Sequence, residues 1–506
     1  MSGKAKTGSW RLMLVAIAAI VEITVTVTLL NYFYTQFAWI ETLLRVASLL
    51  IVLLLIRFSR HLSSDLMWIL LIIVSPIFGT AAYLLLGANL ALGATYRSIV
   101  AETERAKPLY GERQENLAAA EAEIPDLAGQ LRYLAREGFP TYRNTGFSYY
   151  GLGEEGFPHM LEDLEQAKRF VFLEYFIIEP GIMWDSMLEV LTRKADEGVD
   201  VRVLYDDIGS VGTLPASYAR ELEARGIKCE PFNRVNPIVN IFLNHRDHRK
   251  VLVIDGEVAY SGGINLADEY INAVIKIGHW KDNVIRVTGE AVWSYTVMFL
   301  SMWNALRHDT EDYALFRVEP LPGEPDGFVC PYAVTPLTDD KCGQDVYLNI
   351  VNQAHGYCYI VTPYLIIDTD MQNALILAAK RGVDVRSVTP GVPDKKVIWD
   401  ITRSYYASLI AGGVRIFEYT PGFVHAKIFV ADGRLATVGT LNLDYRSLYL
   451  HFENGTLLAG SRVVEQIAED VRGIIGASHE MALEESLFGL RHELAATVLR
   501  LLAPLL

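Results

Sequence analysis

Apolar residues are not spread evenly along the chain. They gather into three runs at its start: residues 12–33, interrupted only by Glu22; residues 39–56, with Glu41 and Arg45 near the beginning; and residues 66–87, which contain Pro76 and Gly79. A helix crosses the hydrocarbon core of a bilayer with roughly 20 apolar residues. The first and third runs reach that length, and the second is marginal. A cleaved leader would carry a single short apolar core, so the pattern predicts N-terminal transmembrane helices and a membrane-anchoring segment over residues 1–90. Lys4, Lys6 and Arg11 favour a cytoplasmic N-terminus, and Arg57 and Arg60 favour the cytoplasm as well. Two full spans satisfy both sets, while the third run reads either as a full span or as a bent, partly inserted hairpin.

Residues 91–144, rich in Ala, Glu, Arg and Leu, read as a helical connector. From about residue 145 the pattern changes to strands alternating with helices. A β-rich run at 169–178 leads through a helical stretch to a strand at 198–207. The same order returns at 357–367 and 382–390, and the five residues GVDVR recur unchanged at 198–202 and 382–386. The segments 224–232 and 411–419 also correspond. These correspondences predict an α/β fold built by internal duplication, with one domain over 145–309 and a second over 346–484. The stretch 310–345, with Pro320, Pro322, Pro325, Pro331 and Pro336, reads as a linker. In the tail, 485–506, Leu487, Leu490, Leu494, Val498 and Leu501 share one helical stripe, suited either to packing on the body or to lying on a membrane.

Each half ends its strand pattern with the same string. "HRKVLVIDG" (248–256) and "HAKIFVADG" (425–433) superimpose His248, Lys250, Asp255, Gly262 and Asn265 on His425, Lys427, Asp432, Gly439 and Asn442 without a gap. Side chains alternate along a strand, so each His-x-Lys pair points to one face. Such a pair makes a poor core, because the ammonium would be buried without a partner; it makes a good anion site. Lys250 and Lys427 supply fixed charge, and Asn265 and Asn442, after glycine-containing turns, can donate amide hydrogens to the same phosphate oxygens. One histidine cannot be both nucleophile and leaving-group acid; two brought face to face can divide those tasks, one forming a phospho-histidine and the other moving protons. The two lysines and two asparagines can carry the developing charge without a metal. Each imidazole also needs a carboxylate to fix its tautomer. The aligned pairs Asp282-Asn283 and Glu453-Asn454 nominate Asp282 and Glu453. Asp255 and Asp432 complete the string and stand among the catalytic candidates, although each closes its strand before a glycine, where bracing the turn is the simpler role. His245, Asp247 and His248 form an alternative metal cluster, but the second half has nothing to match His245. Tyr175 and Tyr364 look equivalent in the repeat and could touch ligand, or simply fill the core.

Composition narrows the partners. Sixty acidic against 45 basic residues give a net charge of −15, which argues against nucleic acid but leaves anionic lipid headgroups open to a locally basic pocket. The four cysteines, Cys229, Cys330, Cys342 and Cys358, are scattered and read as ordinary thiols.

The duplicated HxKxxxxD string followed by Gly and Asn resembles the phospholipase D superfamily. The resemblance is closer to bacterial cardiolipin synthases, through "SPIFGTAAYLLLG" (75–87), "LEYFII" (173–178), "TPYLIID" (362–368), "GTLNLDYRS" (439–447) and "LLAPLL" at the end. It implies two phospholipase D-like domains with the active site at their interface. It further implies a multi-pass enzyme of the bacterial plasma membrane that needs no cofactor. Such an enzyme transfers the phosphatidyl group of one phosphatidylglycerol to another, releasing glycerol. His248 then serves as nucleophile and His425 as acid and base. Two positions depart from the pattern: His451 stands where the family usually has Asn, and Thr440 stands where the first half has Gly263. A hydrolytic phospholipase D or a transferase with another acceptor alcohol would use the same residues. A nuclease fits the acidic balance less well, and a decayed scaffold fits poorly with two intact strings.

Overall fold

The structure is a computed structural model and describes residues 17, 20–28, 38–58, 62–84, 94–111, 113–234, 245–319, 326–338, 341–487 and 498–500. They fall into two compact units, residues 1–92 with 233–244, and residues 93–232 with 245–506.

In the first unit, helices span Ala38–Phe58, Leu62–Val74 and Pro76–Ala82. The third apolar run is therefore not one continuous helix. Pro76 has no amide hydrogen and pushes Ser75 out of the helical region, to φ −137° and ψ 84°, so the chain restarts a new helix at the proline. Val52, Leu55, Met67, Trp68, Ile69 and Ile72 form a small core. Gly79 lets the third helix pack closely, since a Cβ there would stand 2.4 Å from the Leu71 carbonyl oxygen. Among the described residues no helix is long and apolar enough to cross a membrane. The first carries Glu41, Arg45 and Arg57 within 21 residues, and the second stops after 13. Of the run at 12–33, only residues 17 and 20–28 are described, and they are helical. Most of the tail 485–506, including Leu490, Leu494 and Leu501, lies outside the described residues.

The second unit contains the duplication. Its first half supplies strands β1 (Thr145–Tyr150), β2 (Phe170–Tyr175), β3 (Asp200–Asp206), β4 (Lys228–Phe232), β5 (Arg246–Asp247), β6 (Lys250–Ile254), β7 (Val258–Gly262), β8 (His279–Lys281) and β9 (Val284–Gly289). Seven of them form a sheet in the order β1-β9-β7-β6-β2-β3-β4. The second half supplies β10 (Phe328–Val334), β11 (Tyr357–Val361), β12 (Asp384–Pro390), β13 (Arg415–Tyr419), β14 (Gly422–Val424), β15 (Ile428–Ala431), β16 (Leu435–Gly439), β17 (His451–Ala459) and β18 (Ser478–Glu480). They repeat the order as β10-β17-β16-β15-β11-β12-β13-β18. β10 lies inside the proline-rich stretch 310–345, which is thus not wholly a linker. Its Pro331 is tolerated because β10 ends the sheet.

The parallel strands β2 and β3 read as unbroken apolar runs because both faces are covered. Helices Val292–Arg307 and Val463–Gly476 join the facing sides of both sheets in one core. It includes Phe172, Val251 and Val253 of the first sheet and Val361, Ile428 and Val430 of the second.

The turn after each His-x-Lys strand is identical in the two halves. Asp255 and Asp432 both take φ 55°, and the following Gly256 and Gly433 take 72° and 66°, the left-handed pair that a tight hairpin turn demands. Asp255 accepts hydrogen bonds from the amides of Lys168, Arg169 and Phe170 at 2.7–2.9 Å. Asp432 does the same for His355, Gly356 and Tyr357 at 2.8 Å. Each carboxylate pins a hairpin to the entry of the neighbouring central strand. Asp255→Ala or Asp432→Ala leaves three amides without their acceptor and is expected to cost about 2–4 kcal/mol of stability, read as a lower denaturant midpoint. Unchanged stability with lost turnover would instead put these carboxylates in the chemistry.

Candidate active site

The short strands β5 and β14 leave their own sheets. β5 pairs in parallel with the start of β17, setting Arg246 against His451 and Asp247 against Phe452. β14 pairs in parallel with β8, setting Val424 against Lys281. The chain then continues into each histidine, whose amide bonds across the halves: His248 N–H to the Phe452 carbonyl at 2.9 Å, His425 N–H to the Lys281 carbonyl at 2.7 Å. The next residue on each receiving segment is a carboxylate. His248 Nδ1 consequently lies 2.9 Å from both Glu453 oxygens, and His425 Nδ1 lies 2.6 Å from Asp282 Oδ2. Each imidazole is held by the acid of the other half. Residue spacing nominated the acids, but only the strand exchange says which belongs to which ring.

With Nδ1 committed to a carboxylate, Nε2 is the atom left for chemistry. Both histidines line one cavity of about 620 Å³, together with Asn265, Asn442, Phe176, Tyr270, Trp280, Tyr364 and Phe423. Lys250 donates to the His248 carbonyl at 2.6 Å, and Lys427 to the His425 carbonyl while its Nζ stands 2.8 Å from His425 Nδ1. Asn265 accepts from the Ile177 amide and donates to the Tyr270 hydroxyl at 2.7 Å. Asn442 keeps a buried Oδ1 without a partner. The departure at Thr440, opposite Gly263, also finds its place. A Cβ on Gly263 would fall 1.9 Å from Asp282 Oδ1, so that acid requires glycine. Thr440 instead donates its hydroxyl to Glu453 Oε2.

Burial governs the electrostatics. It pulls Lys250 to about 7 and Lys427 to about 8, against the attraction of the nearby carboxylates. Burial also raises Asp282, but Lys427 and His425 outweigh it and hold that acid below its ordinary value. Glu453 is pushed well above its ordinary value by burial, which Lys250 only partly offsets. His425 falls to about 4 through burial and Lys427, with Asp282 opposing. His248 is lowered well below its ordinary value, by burial and then by Lys250, His451 and Lys427.

Other sequence candidates lie elsewhere. Asp255 and Asp432 are not lining residues of the cavity; they brace the turns described above. Tyr175 is core, and it is not the counterpart of Tyr364. The bridges Ile178–Leu266 and Leu365–Leu443, each next to a site asparagine, align Tyr364 with Ile177, and Tyr364 reaches the cavity. The trio His245, Asp247 and His248 does not converge: His245 Nδ1 meets the Leu450 carbonyl at 3.0 Å, and Asp247 lies against Glu174 and Arg249. A different trio does, since ligand atoms of His248, His451 and Glu453 lie within 4.8 Å of one another. A cation there would compete for the imidazole that Glu453 orients. Sequence reasoning missed Arg246 and Arg446 in the cavity wall. Strand alternation held the clue for the first, because positions 246, 248 and 250 share a face.

The family described as cardiolipin synthase, PLD-like domain, matches residues 160–303 and 347–475. The chain belongs to that family. A cardiolipin synthase of Alkalihalophilus pseudofirmus is 33% identical over 461 residues, 88% of this chain and 90% of its own. An uncharacterized protein of Streptococcus mutans is 41% identical over 459 residues, 90% of this chain and 99% of its own. The crystal structure of phosphatidylserine synthase from Haemophilus influenzae shares the fold at a TM-score of 0.56 and 15% identity, covering 74% of this chain and 98% of that one. Within this family member, Asp282→Asn and Glu453→Gln keep the side-chain shape but replace a carboxyl oxygen with an amide nitrogen, disturbing the contact that fixes each ring. Each is expected to lower kcat by roughly 10²–10⁴ with lipid KM little changed. A kcat near that of the unaltered protein in either variant would remove that acid from its positioning role.

Proposed function

We propose that the protein is a membrane-bound phosphatidyltransferase that joins two phosphatidylglycerol molecules into cardiolipin and glycerol. The observation that carries this reading is the pair of imidazoles, each oriented by the opposite half and both opening on one cavity, with a buried ammonium group bonded to the carbonyl of each histidine. The charge difference between their acids favours a division of labour. Asp282, held below its ordinary value, pulls His425 towards its protonated form against burial and Lys427, whereas His248 is lowered by burial and the cations around it and keeps a lone pair available. His248 Nε2 attacks phosphorus; the bond to the glycerol oxygen breaks, and His425 gives that oxygen its proton. The second phosphatidylglycerol then loses a hydroxyl proton to His425, its oxygen bonds to phosphorus, and the bond to His248 breaks. Lys250, Lys427, Asn265 and Asn442 bind the two unesterified oxygens throughout.

Anchoring through residues 1–90 in the bacterial cell membrane fits both substrates. It is supported by the apolar side chains that helix Ala38–Phe58 leaves exposed, among them Trp39, Leu43, Leu49, Leu50, Leu53 and Leu54. Purified protein given phosphatidylglycerol in detergent with a chelator is expected to yield cardiolipin and glycerol, and His248→Ala or His425→Ala to yield neither. Phosphatidic acid as the sole product would replace transfer by hydrolysis.

The lysines set an alkaline limit. Both must be charged to hold phosphate, and burial makes the free enzyme lose those protons as pH rises through about 7 to 8. Because kcat/KM reports the free enzyme, it should fall across that range; a value still climbing at pH 9 would mean that the ammonium pair does not bind the substrate.

A further inference from the structure

The cavity wall beside His248 differs from the wall beside His425. Next to His425 stand aromatic rings: Tyr270 at 5.4 Å, Trp280 at 5.7 Å and Phe423 at 6.0 Å between centroids. Next to His248 stand one aromatic ring, Phe176 at 4.9 Å, and His451 at 5.6 Å, and Arg246 and Arg446 line the same cavity. His451 is 8% exposed, and neither of its ring nitrogens has a hydrogen-bond partner. A buried imidazole without partners is costly unless a ligand completes it.

The surroundings say which kind of ligand. Arg446, Arg246 and Lys250 all act on His451, and the two guanidinium groups repel each other. Carboxylates stand near them as well: Glu453 lies 3.6 Å from His451 Nδ1, and Asp206 and Asp444 attract Arg246 and Arg446. Asp206 accepts from Ile208, Gly209 and Asp247 at 2.9–3.0 Å, and Asp444 accepts from Ser447 at 2.9 Å. Three cationic side chains acting on an imidazole that has no hydrogen-bond partner favour an anion with several acceptor oxygens there. Arginine's planar fork suits a phosphate diester.

The geometry points to a second phosphate subsite, formed by Arg246, Arg446 and His451, that holds the acceptor lipid's own phosphodiester. This rests on the transfer reading above. The acceptor hydroxyl enters in line opposite His248, and a three-carbon glycerol arm joins it to that phosphodiester. The arm is long enough to lie alongside the reacting phosphorus and set the second phosphate against this wall. The aromatic side serves the reacting end. An acceptor without a phosphate, such as free glycerol or water, gains nothing from the basic wall. The subsite therefore selects the phospholipid as acceptor over small alcohols.

Supplying phosphatidylglycerol with labelled glycerol separates the two acceptors in one assay, because labelled phosphatidylglycerol reports transfer to glycerol and cardiolipin reports transfer to lipid. Arg446→Gln and His451→Ala are each expected to lower the ratio of cardiolipin to labelled lipid roughly tenfold or more, with acceptor KM raised. The ratio can be read at any residual activity, so partial loss of folded protein does not obscure it. An unchanged ratio in both variants overturns the subsite. Unaltered protein that incorporates no label and forms no cardiolipin overturns the transfer reading instead.

Discussion

The amide of His248 donates to the Phe452 carbonyl, and the amide of His425 to the Lys281 carbonyl. These two hydrogen bonds, with the short strands that flank them, fix where each catalytic ring begins. They also place a carboxylate one residue further on the opposing segment, within reach of Nδ1. Backbone pairing has a fixed spacing, so the alignment of ring and acid follows from register rather than from the flexible ends of side chains. The lysines inherit the same frame, because each donates to the carbonyl of its own histidine. Remove the exchange between halves, and the rings would keep their strands but lose their acids.

The buried charges are arranged to be incomplete without substrate. Two ammonium groups and two carboxylates share a low-dielectric interior, where ions are costly unless paired. The carboxylates are shared with imidazoles, and the lysines fall to about 7 and 8. In the transfer proposed above, a phosphate bound between the imidazoles would supply the negative charge that the lysines lack. Binding energy and charge relief are thus the same event, which suits a reaction whose barrier is dominated by charge on phosphorus oxygens.

Much of this was written in the pattern of residues. The recurrence of GVDVR and of the His-x-Lys string exposed the duplicated sheets, and alignment of Asp282-Asn283 with Glu453-Asn454 nominated the two acids that contact the imidazoles. Other features depend on three-dimensional pairing that no linear spacing encodes. The crossing of acids between halves is one. The place of Tyr364 is another, since its register is set by bridges at Leu365 and Leu443 rather than by the apparent match to Tyr175. Pro331 reads as a linker signal, yet it occupies a sheet edge where its missing amide costs nothing. The aspartates that close each string looked chemical because they belong to a motif; their three amide partners arrive from a segment some 75–87 residues away.

Gly263 and Thr440 occupy matching positions and are not interchangeable. One leaves room for a short acid pressed against the backbone; the other hands a hydroxyl to a longer acid. Two identical subunits meeting on a symmetry axis would have to give both imidazoles the same companion. A single continuous polypeptide escapes that obligation. Its two nests have been free to drift apart, one acid held below its ordinary value and the other pushed above it.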